Sequence, residues 1–199
     1  MKNETDKLRP SGLTGIDGLA NGFILCYCGS PKMQPLNPPD SHHLSAALGW
    51  LGLGNWQEAN EELDKIAPAL GTHQTVLEAR YQVCAKAQNW NKAAQTAYAL
   101  VLADSQKADY WIWHAYATRR MSGGGIFQAR RILAQAQAMF ALDPIVSFNL
   151  ACYECQLGNF KQAWNWLNNA IKHGDPSQIK LMALNDSDLE PLREKIAEL

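Results

Sequence analysis

The sequence predicts an all-α protein, a solenoid of about four helix-turn-helix units closed by a C-terminal helical cap. Three observations lead to this fold class. Apolar residues recur at spacings of three and four, a short turn motif divides the helical stretches into pairs, and that motif returns at a nearly constant interval along the chain.

The clearest unit covers residues 148–171. Gly158 is the kind of residue that ends a helix with a positive φ, and Asn159 is the predicted N-cap of the next helix. One face of that second helix is apolar, and it is formed by Phe160, Ala163, Trp164, Leu167, Ala170 and Ile171. The unit is therefore a pair of amphipathic helices.

The same turn motif occurs twice upstream. Residues 157–163 read LGNFKQA, and they are matched by LGNWQEA at 53–59 and AQNWNKA at 87–93. The aromatic residues Trp56 and Trp90 fall where Phe160 does, directly after the turn. Their shared position indicates that they are apolar wedges in the core between two helices.

The interval between these motifs is close to 34 residues. Ala59 and Ala93 are 34 positions apart, and Ala129 lies 34 positions before Ala163 and 36 after Ala93. The two extra residues fall in the glycine-rich stretch 122–125, where a loop can absorb them.

A period of 34 with two helices per unit, together with small residues where helices cross, is similar to the tetratricopeptide repeat (TPR) family over about residues 41–174. The small positions are Ala47, Ala115 and Ala151 in first helices and Ala59, Ala93, Ala129 and Ala163 in second helices. Two residues depart from the pattern: Tyr81 takes a small position, and Gln88 replaces a turn glycine. The last two repeats and the tail DLEPLR also resemble a group of bacterial TPR proteins. The resemblance implies a right-handed solenoid with a concave groove.

The chain divides into three predicted parts: a leader at 1–40, repeats at 41–174 and a cap at 175–199. Five glycines and five prolines predict an irregular or disordered leader, whose apolar run 23–28 either folds back onto the first repeat or forms a free arm. The predicted helices cover about 41–53, 56–70, 73–87, 90–103 and 126–141. The first helix of the third repeat is expected to begin near residue 106, and the fourth repeat contains the helix pair within 148–171.

Helix-capping residues predict several of these bounds. Asp40 or Ser41 is expected to cap the first helix, and the pair Asp143-Pro144 is expected to begin the fourth repeat. In the cap, Asp175-Pro176 starts a short helix, and the sequence SDLE at 187–190 forms a predicted capping box for a last helix ending near residue 199.

Composition excludes several classes of function. Hydrophobic residues make up 47% of the chain and charged residues 19%, which is typical of a soluble globular protein. The net charge of −1 gives no electrostatic footprint for nucleic acid, and no run of about 18 apolar residues predicts a membrane span. Five scattered cysteines favour reduced thiols in the cytoplasm.

The sequence predicts no catalytic residues, no metal site and no cofactor. Cys152 and Cys155 form a C-x-x-C pair, but both lie inside a predicted helix, which favours small residues on a helix face over a metal or redox site. The five histidines, among them His114, have no nucleophile and orienting carboxylate around them, so surface or capping roles are expected.

The resemblance implies that first helices line the groove and bind a partner there. The expected binding residues are Gln82, Lys86, Tyr116, Arg119, Arg120, Phe148 and Asn149. Arginines suit a protein or peptide partner that carries an acidic group, because guanidinium groups form charge-assisted, often bidentate bonds to carboxylates. The alternative for Arg119 and Arg120 is that they are solvated charges at a helix end.

The expected function is therefore that of a non-catalytic protein-interaction module, such as an adaptor, scaffold or co-chaperone-like protein, with no nucleic-acid or membrane partner. Two other classes stay open. A helical-repeat RNA-binding protein would share the period, and a cysteine-based metal or redox protein would use the C-x-x-C pair. Self-association is also possible, because an uncapped first repeat can pair with another copy.

Overall fold

A computed structural model describes residues 35–199 of the chain, and these residues form ten α-helices and no β-strand. The helices are α1 (Asp40–Gly52), α2 (Trp56–Asp64), α3 (Gln74–Lys86), α4 (Trp90–Ala103), α5 (Ala108–Arg120), α6 (Ile126–Gln137), α7 (Pro144–Gln156), α8 (Phe160–His173), α9 (Pro176–Asn185) and α10 (Arg193–Ala197). Short 3₁₀ helices lie at Pro68–Leu70 and Ser187–Leu192. Most of the predicted leader, residues 1–34, lies outside the described residues.

The helices pack in chain order. Each of α1 to α8 contacts the next helix, and the contacts are most extensive within the pairs α1–α2, α3–α4, α5–α6 and α7–α8 and between α4 and α5. This arrangement confirms the all-α helical-repeat solenoid. None of the described helices is both long and apolar enough to cross a membrane. The division into repeats and cap at residue 174 stays a prediction.

The small residues lie where helices cross. All seven alanines of the repeat pattern have no exposed surface. Tyr81, which takes the remaining small position, is 1% exposed. Its ring stacks on Trp113 with centroids 4.7 Å apart, and its hydroxyl donates to the Trp113 carbonyl at 3.2 Å. Stacking therefore joins α3 to α5 where the other repeats use close helix contact.

The turns within the first, second and fourth repeats share one backbone conformation. Gly54 and Gly158 have φ of 81° and 79°, and Gln88 adopts the same left-handed region with φ of 55°. The N-cap of α8 is Asn159, as expected, but its side chain makes no cap hydrogen bond. Instead its amide donates to the Glu154 carboxylate at 2.7 Å.

Two capping predictions were wrong. The N-cap of α1 is Pro39, and Asp40 accepts a hydrogen bond from the Ala67 amide at 2.7 Å, which ties the start of α1 to the loop after α2. In the C-terminal segment Asp186, not Ser187, caps the 3₁₀ helix by accepting from the Asp188 amide at 2.9 Å. Two second helices are shorter than predicted, since α2 ends at Asp64 and α6 at Gln137.

The apolar interior has two parts. A main cluster runs from α3 to α10, and a separate first-repeat cluster comprises Ala47, Leu51, Ala59, Leu63, Ile66, Val76, Ala79 and Val83. The C-terminal segment belongs to the main cluster through Leu189, Leu192 and Ile196, all of them buried. The last repeat is thus covered by the residues that follow it.

Candidate functional site

The residues predicted to line the groove divide into three groups in the structure. Gln82 and Lys86 are exposed on α3, while Tyr116 and Arg120 are partly exposed on α5. Arg119 is paired within the chain. Phe148 and Asn149 lie in the interior, with exposed fractions of 3% and 4%.

The burial of Phe148 and Asn149 results from the position of α7. All residues from 146 to 155 are buried, because α7 packs against α6, α8 and the 3₁₀ helix of the C-terminal segment. The Asn149 amide donates to the Ile145 carbonyl of its own helix at 2.8 Å. These two side chains therefore serve packing rather than present a surface to a partner.

Arg119 holds the C-terminal segment. Its guanidinium donates two hydrogen bonds to Asp188, one of them at 2.8 Å, and lies over the Tyr153 ring. Gln156 of α7 adds a bond to the Asp188 carbonyl at 3.1 Å. We call Arg119, Asp188 and Gln156 the C-terminal clasp.

The charges of the clasp are largely removed from water, since the Arg119 and Asp188 side chains are 22% and 14% exposed. Burial opposes the charge of Arg119, but the hydrogen bonds and charge of Asp188 raise its pKa above the ordinary value. The clasp joins residues 69 positions apart, so the local sequence pattern did not reveal it.

Arg120 has a different environment. Its guanidinium carbon lies 3.5 Å from the centroid of the Tyr116 ring and 5.5 Å from that of Trp90. The two rings meet edge to face with centroids 5.6 Å apart, and Arg120 also donates to the Tyr116 carbonyl at 3.2 Å. We call Trp90, Tyr116 and Arg120 the arginine platform.

No carboxylate of the described residues pairs with Arg120. The same holds within residues 35–199 for Lys86, which is exposed in the last turn of α3. The sequence assigned Trp90 to the core. The structure places it against the main cluster but leaves it partly exposed, so one face is available to Arg120.

The repeat period brings these residues into rows. Lys86 and Arg120 are 34 positions apart, as are Gln82 and Tyr116, so each pair occupies equivalent positions in successive repeats. The first helices α3 and α5 touch directly through Tyr81 and Trp113. Equivalent positions of successive repeats are expected to lie side by side, and we call the exposed groups of Gln82, Lys86, Trp90, Tyr116 and Arg120 the inner face.

Acidic groups near this face are engaged elsewhere. Glu78, one turn before Gln82 on α3, accepts from Lys107 at 3.3 Å and from the Tyr110 hydroxyl. Burial and the bond to Glu78 raise the pKa of Tyr110 to about 12. The hydroxyl therefore stays protonated at neutral pH and keeps donating to Glu78.

The cysteine pair lies beneath the C-terminal segment. Cys152 and Cys155 are each 2% exposed, and burial with the nearby charges of Asp188 and Asp186 raises the pKa of Cys155 to about 11. The donor atoms of Cys152, Asp186 and Asp188 lie within 4.8 Å of one another and could hold a cation. Such a cation would compete with Arg119, which already holds Asp188.

His114 is a further difference from the prediction. It was expected at the surface, but it is 5% exposed and lies beside the Tyr98 ring. Burial lowers the pKa of His114 to about 3, so the imidazole is neutral throughout the physiological range.

Comparison with known proteins supports the fold. Three similar solved structures each have a TM-score of 0.61. The MamA RS-1 ArsTM double mutant is 15% identical over 70% of this chain and 77% of that chain, and the MamA protein is 14% identical over 80% of this chain and 86% of that chain. A thermophilic TPR protein of Thermus thermophilus is 16% identical over 79% of this chain and 82% of that chain. No family model and no curated protein matches the sequence. The chain has a TPR-like helical-repeat fold, and at these identities the likeness concerns the fold.

Proposed function

We propose that the protein is a non-catalytic interaction module that binds an acidic segment of a partner protein across its inner face. The observation that carries this proposal is the arginine platform. The Arg120 guanidinium carbon lies 3.5 Å from the centroid of the Tyr116 ring and has no carboxylate partner in residues 35–199, and exposed Lys86 lies at the equivalent position of the preceding repeat.

The platform prepares Arg120 for binding. Stacking on Tyr116 and the bond to its carbonyl restrict the guanidinium, so less side-chain entropy is lost when a ligand arrives. The contact with the ring and the single bond to the Tyr116 carbonyl leave other N–H groups of the guanidinium, and such groups bind a carboxylate in bidentate fashion. The rings of Trp90 and Tyr116 add apolar surface beside the charge.

The spacing of the cations suggests the form of the ligand. Packed helices lie about 8–10 Å apart, and an extended chain advances about 3.3 Å per residue. Two acidic residues about three positions apart in an extended segment would therefore reach Arg120 and Lys86 together. Charged hydrogen bonds contribute about 1.5–3 kcal/mol each, a substantial part of the roughly 8 kcal/mol of a micromolar complex.

The experiment is affinity capture from a lysate of the source cell, with bound proteins identified by mass spectrometry. Wild-type protein is compared with Arg120→Glu and with the control Arg131→Glu, which reverses an exposed charge on α6. We expect a partner that wild type and Arg131→Glu retain, that Arg120→Glu loses, and whose retention falls with added salt. Equal retention by Arg120→Glu would remove the inner face from the proposal.

A further inference from the structure

The outer face of α1 has no covering helix among the described residues. In α3 the corresponding face is buried against α2 and belongs to the first-repeat cluster, and it is formed by Val76, Ala79 and Val83. The residues 34 positions earlier are His42, Ser45 and Gly49, and all three are exposed. The face that a preceding helix would cover is therefore open in residues 35–199.

Small residues make this face accessible to another segment. A Cβ atom built on Gly49 would meet no atom of the described chain within 4 Å. Glycine destabilises a helix and allows another segment to approach the backbone closely. An exposed apolar residue extends this face, since Leu53 lies one turn after Gly49 and is 78% exposed.

We propose that residues 22–28 of this same chain, GFILCYC, pack on the open face of α1 as an N-terminal cover. Leu36 packs against the first-repeat cluster, so the described part of the chain begins beside that cluster. The seven Cα-to-Cα steps from residue 28 to residue 35 span up to about 25 Å when extended, and a helix of 13 residues is about 20 Å long. Every point of α1 is within reach.

The two surfaces suit each other chemically. Residues 18–31 contain no Asp, Glu, Lys or Arg, and neither do residues 41–57. Contact between them removes apolar surface from water without the cost of desolvating a charge. The run Phe23-Ile24-Leu25 supplies large side chains, and the glycine surface of α1 supplies room for them.

A covalently attached segment has the advantage over a second copy. A short linker holds residues 22–28 near α1 at an effective concentration in the millimolar range. A separate molecule at micromolar concentration would compete poorly for the same face. The cover is thus expected to form within one chain.

The test is disulfide trapping in the full-length chain. Ser45→Cys places a thiol in the middle of the exposed face, and Cys28→Ser leaves Cys26 as the single leader thiol. A disulfide forms only when the two Cα atoms come within about 7 Å. The matched control is Leu181→Cys in the same background, since Leu181 is 61% exposed on α9 at the far end of the solenoid.

Under mild oxidation we expect an intrachain bond from Cys26 to the introduced thiol of Ser45→Cys, at least tenfold more abundant than the bond formed in Leu181→Cys. Adding Phe23→Ser, Ile24→Ser and Leu25→Ser should remove that difference, whereas Leu13→Ser and Ile16→Ser should not. Bonds mainly between chains would assign the face to a second copy and overturn the proposal. Equal yields in Ser45→Cys and Leu181→Cys would also overturn it.

Discussion

The first helices of the first and the final repeat differ in how much of their surface is buried. In α1, at the start of the described chain, only Ala47 and Leu51 are buried, and Leu48 and Trp50 are exposed. In α7, the first helix of the final repeat, every residue from 146 to 155 is buried. Both helices have 13 residues, so the difference lies in their neighbours and not in their length.

The comparison explains the different roles of two adjacent arginines. The C-terminal segment covers α7 and is held by Arg119 through Asp188. Arg120, the next residue along α5, lies against the Tyr116 ring and pairs with no carboxylate of the described residues. Arg119, one of the predicted binding residues, is therefore used to hold the C-terminal segment, and Arg120 is left available to a partner.

The largest effect is expected from a charge placed inside the closed end. Ala163→Arg puts a long cation at a helix crossing with no exposed surface, and an uncompensated buried charge costs about 3–5 kcal/mol. The free energy of unfolding, measured by chemical denaturation, should fall by that amount. Gln162→Arg on the exposed side of α8 is the control, with a change within about 0.5 kcal/mol. An unchanged midpoint for Ala163→Arg would contradict the repeat register.

The same substitution at the open end tests whether the two ends unfold separately. Ala47 is also fully buried, but it belongs to the small first-repeat cluster. Ala47→Arg should release α1 locally and leave the main unfolding transition in place. Hydrogen exchange should then rise in α1 alone. Loss of protection in α7 as well would show that the two clusters unfold as one unit.

The next largest effect is expected from opening the clasp. Asp188→Ala leaves Arg119 mostly buried without its anion, and we expect a loss of about 2–4 kcal/mol, somewhat below the value for a fully buried pair. Glu190→Ala removes an exposed pair with Arg193 and should cost below about 0.5 kcal/mol. Thermal and denaturant unfolding measure both. Equal effects would show that the clasp does not hold the C-terminal segment.

A pH effect of about 2 kcal/mol is expected from His114. Its pKa is about 3 when folded against 6.5 as the ordinary value, so between these pH values the unfolded chain binds a proton that the folded chain does not. The contribution is present above pH 6.5 and decreases as the pH falls. When the pH falls from 7.5 to 5, the unfolding free energy of His114→Gln should decrease by about 2 kcal/mol less than that of wild type. An identical pH dependence would contradict the burial of a neutral imidazole.

The smallest effect is expected in the turns. Gln88 adopts a left-handed conformation that favours glycine, so Gln88→Gly should stabilise the protein by up to about 1 kcal/mol. Gly158→Ala introduces the same strain into the fourth repeat and should destabilise by about 1 kcal/mol. Melting temperatures of the two variants should move in opposite directions. A shift of the same sign would show that backbone strain is not the deciding term.

The fold was predictable because its signals are local. Spacings of three and four, the turn motif and the buried alanines such as Ala59 and Ala163 depend on residues within one or two helices. The caps were less predictable because several side chains compete for the same amides. Asp186 takes the role expected of Ser187, and Pro191, which has no N–H, delays the α-helix until Arg193.

The candidate site was predictable only in part. Family register placed Gln82, Lys86, Tyr116 and Arg120 on one face, and the structure leaves their side chains at least partly exposed. The pairing of Arg119 with Asp188 depends on how the last 25 residues fold back, which no local pattern indicates. The same packing buries Phe148 and Asn149, and the contact of Trp90 with Arg120 was hidden by its position as an apparent core residue.

The most direct test of the account is hydrogen exchange of the full chain with and without its captured partner. We expect added protection in the C-terminal halves of α3 and α5, around 82–86 and 116–120, with α7 and α9 unchanged. Protection confined to α7, or to the helices of the C-terminal segment, would contradict the assignment of partner binding to the inner face.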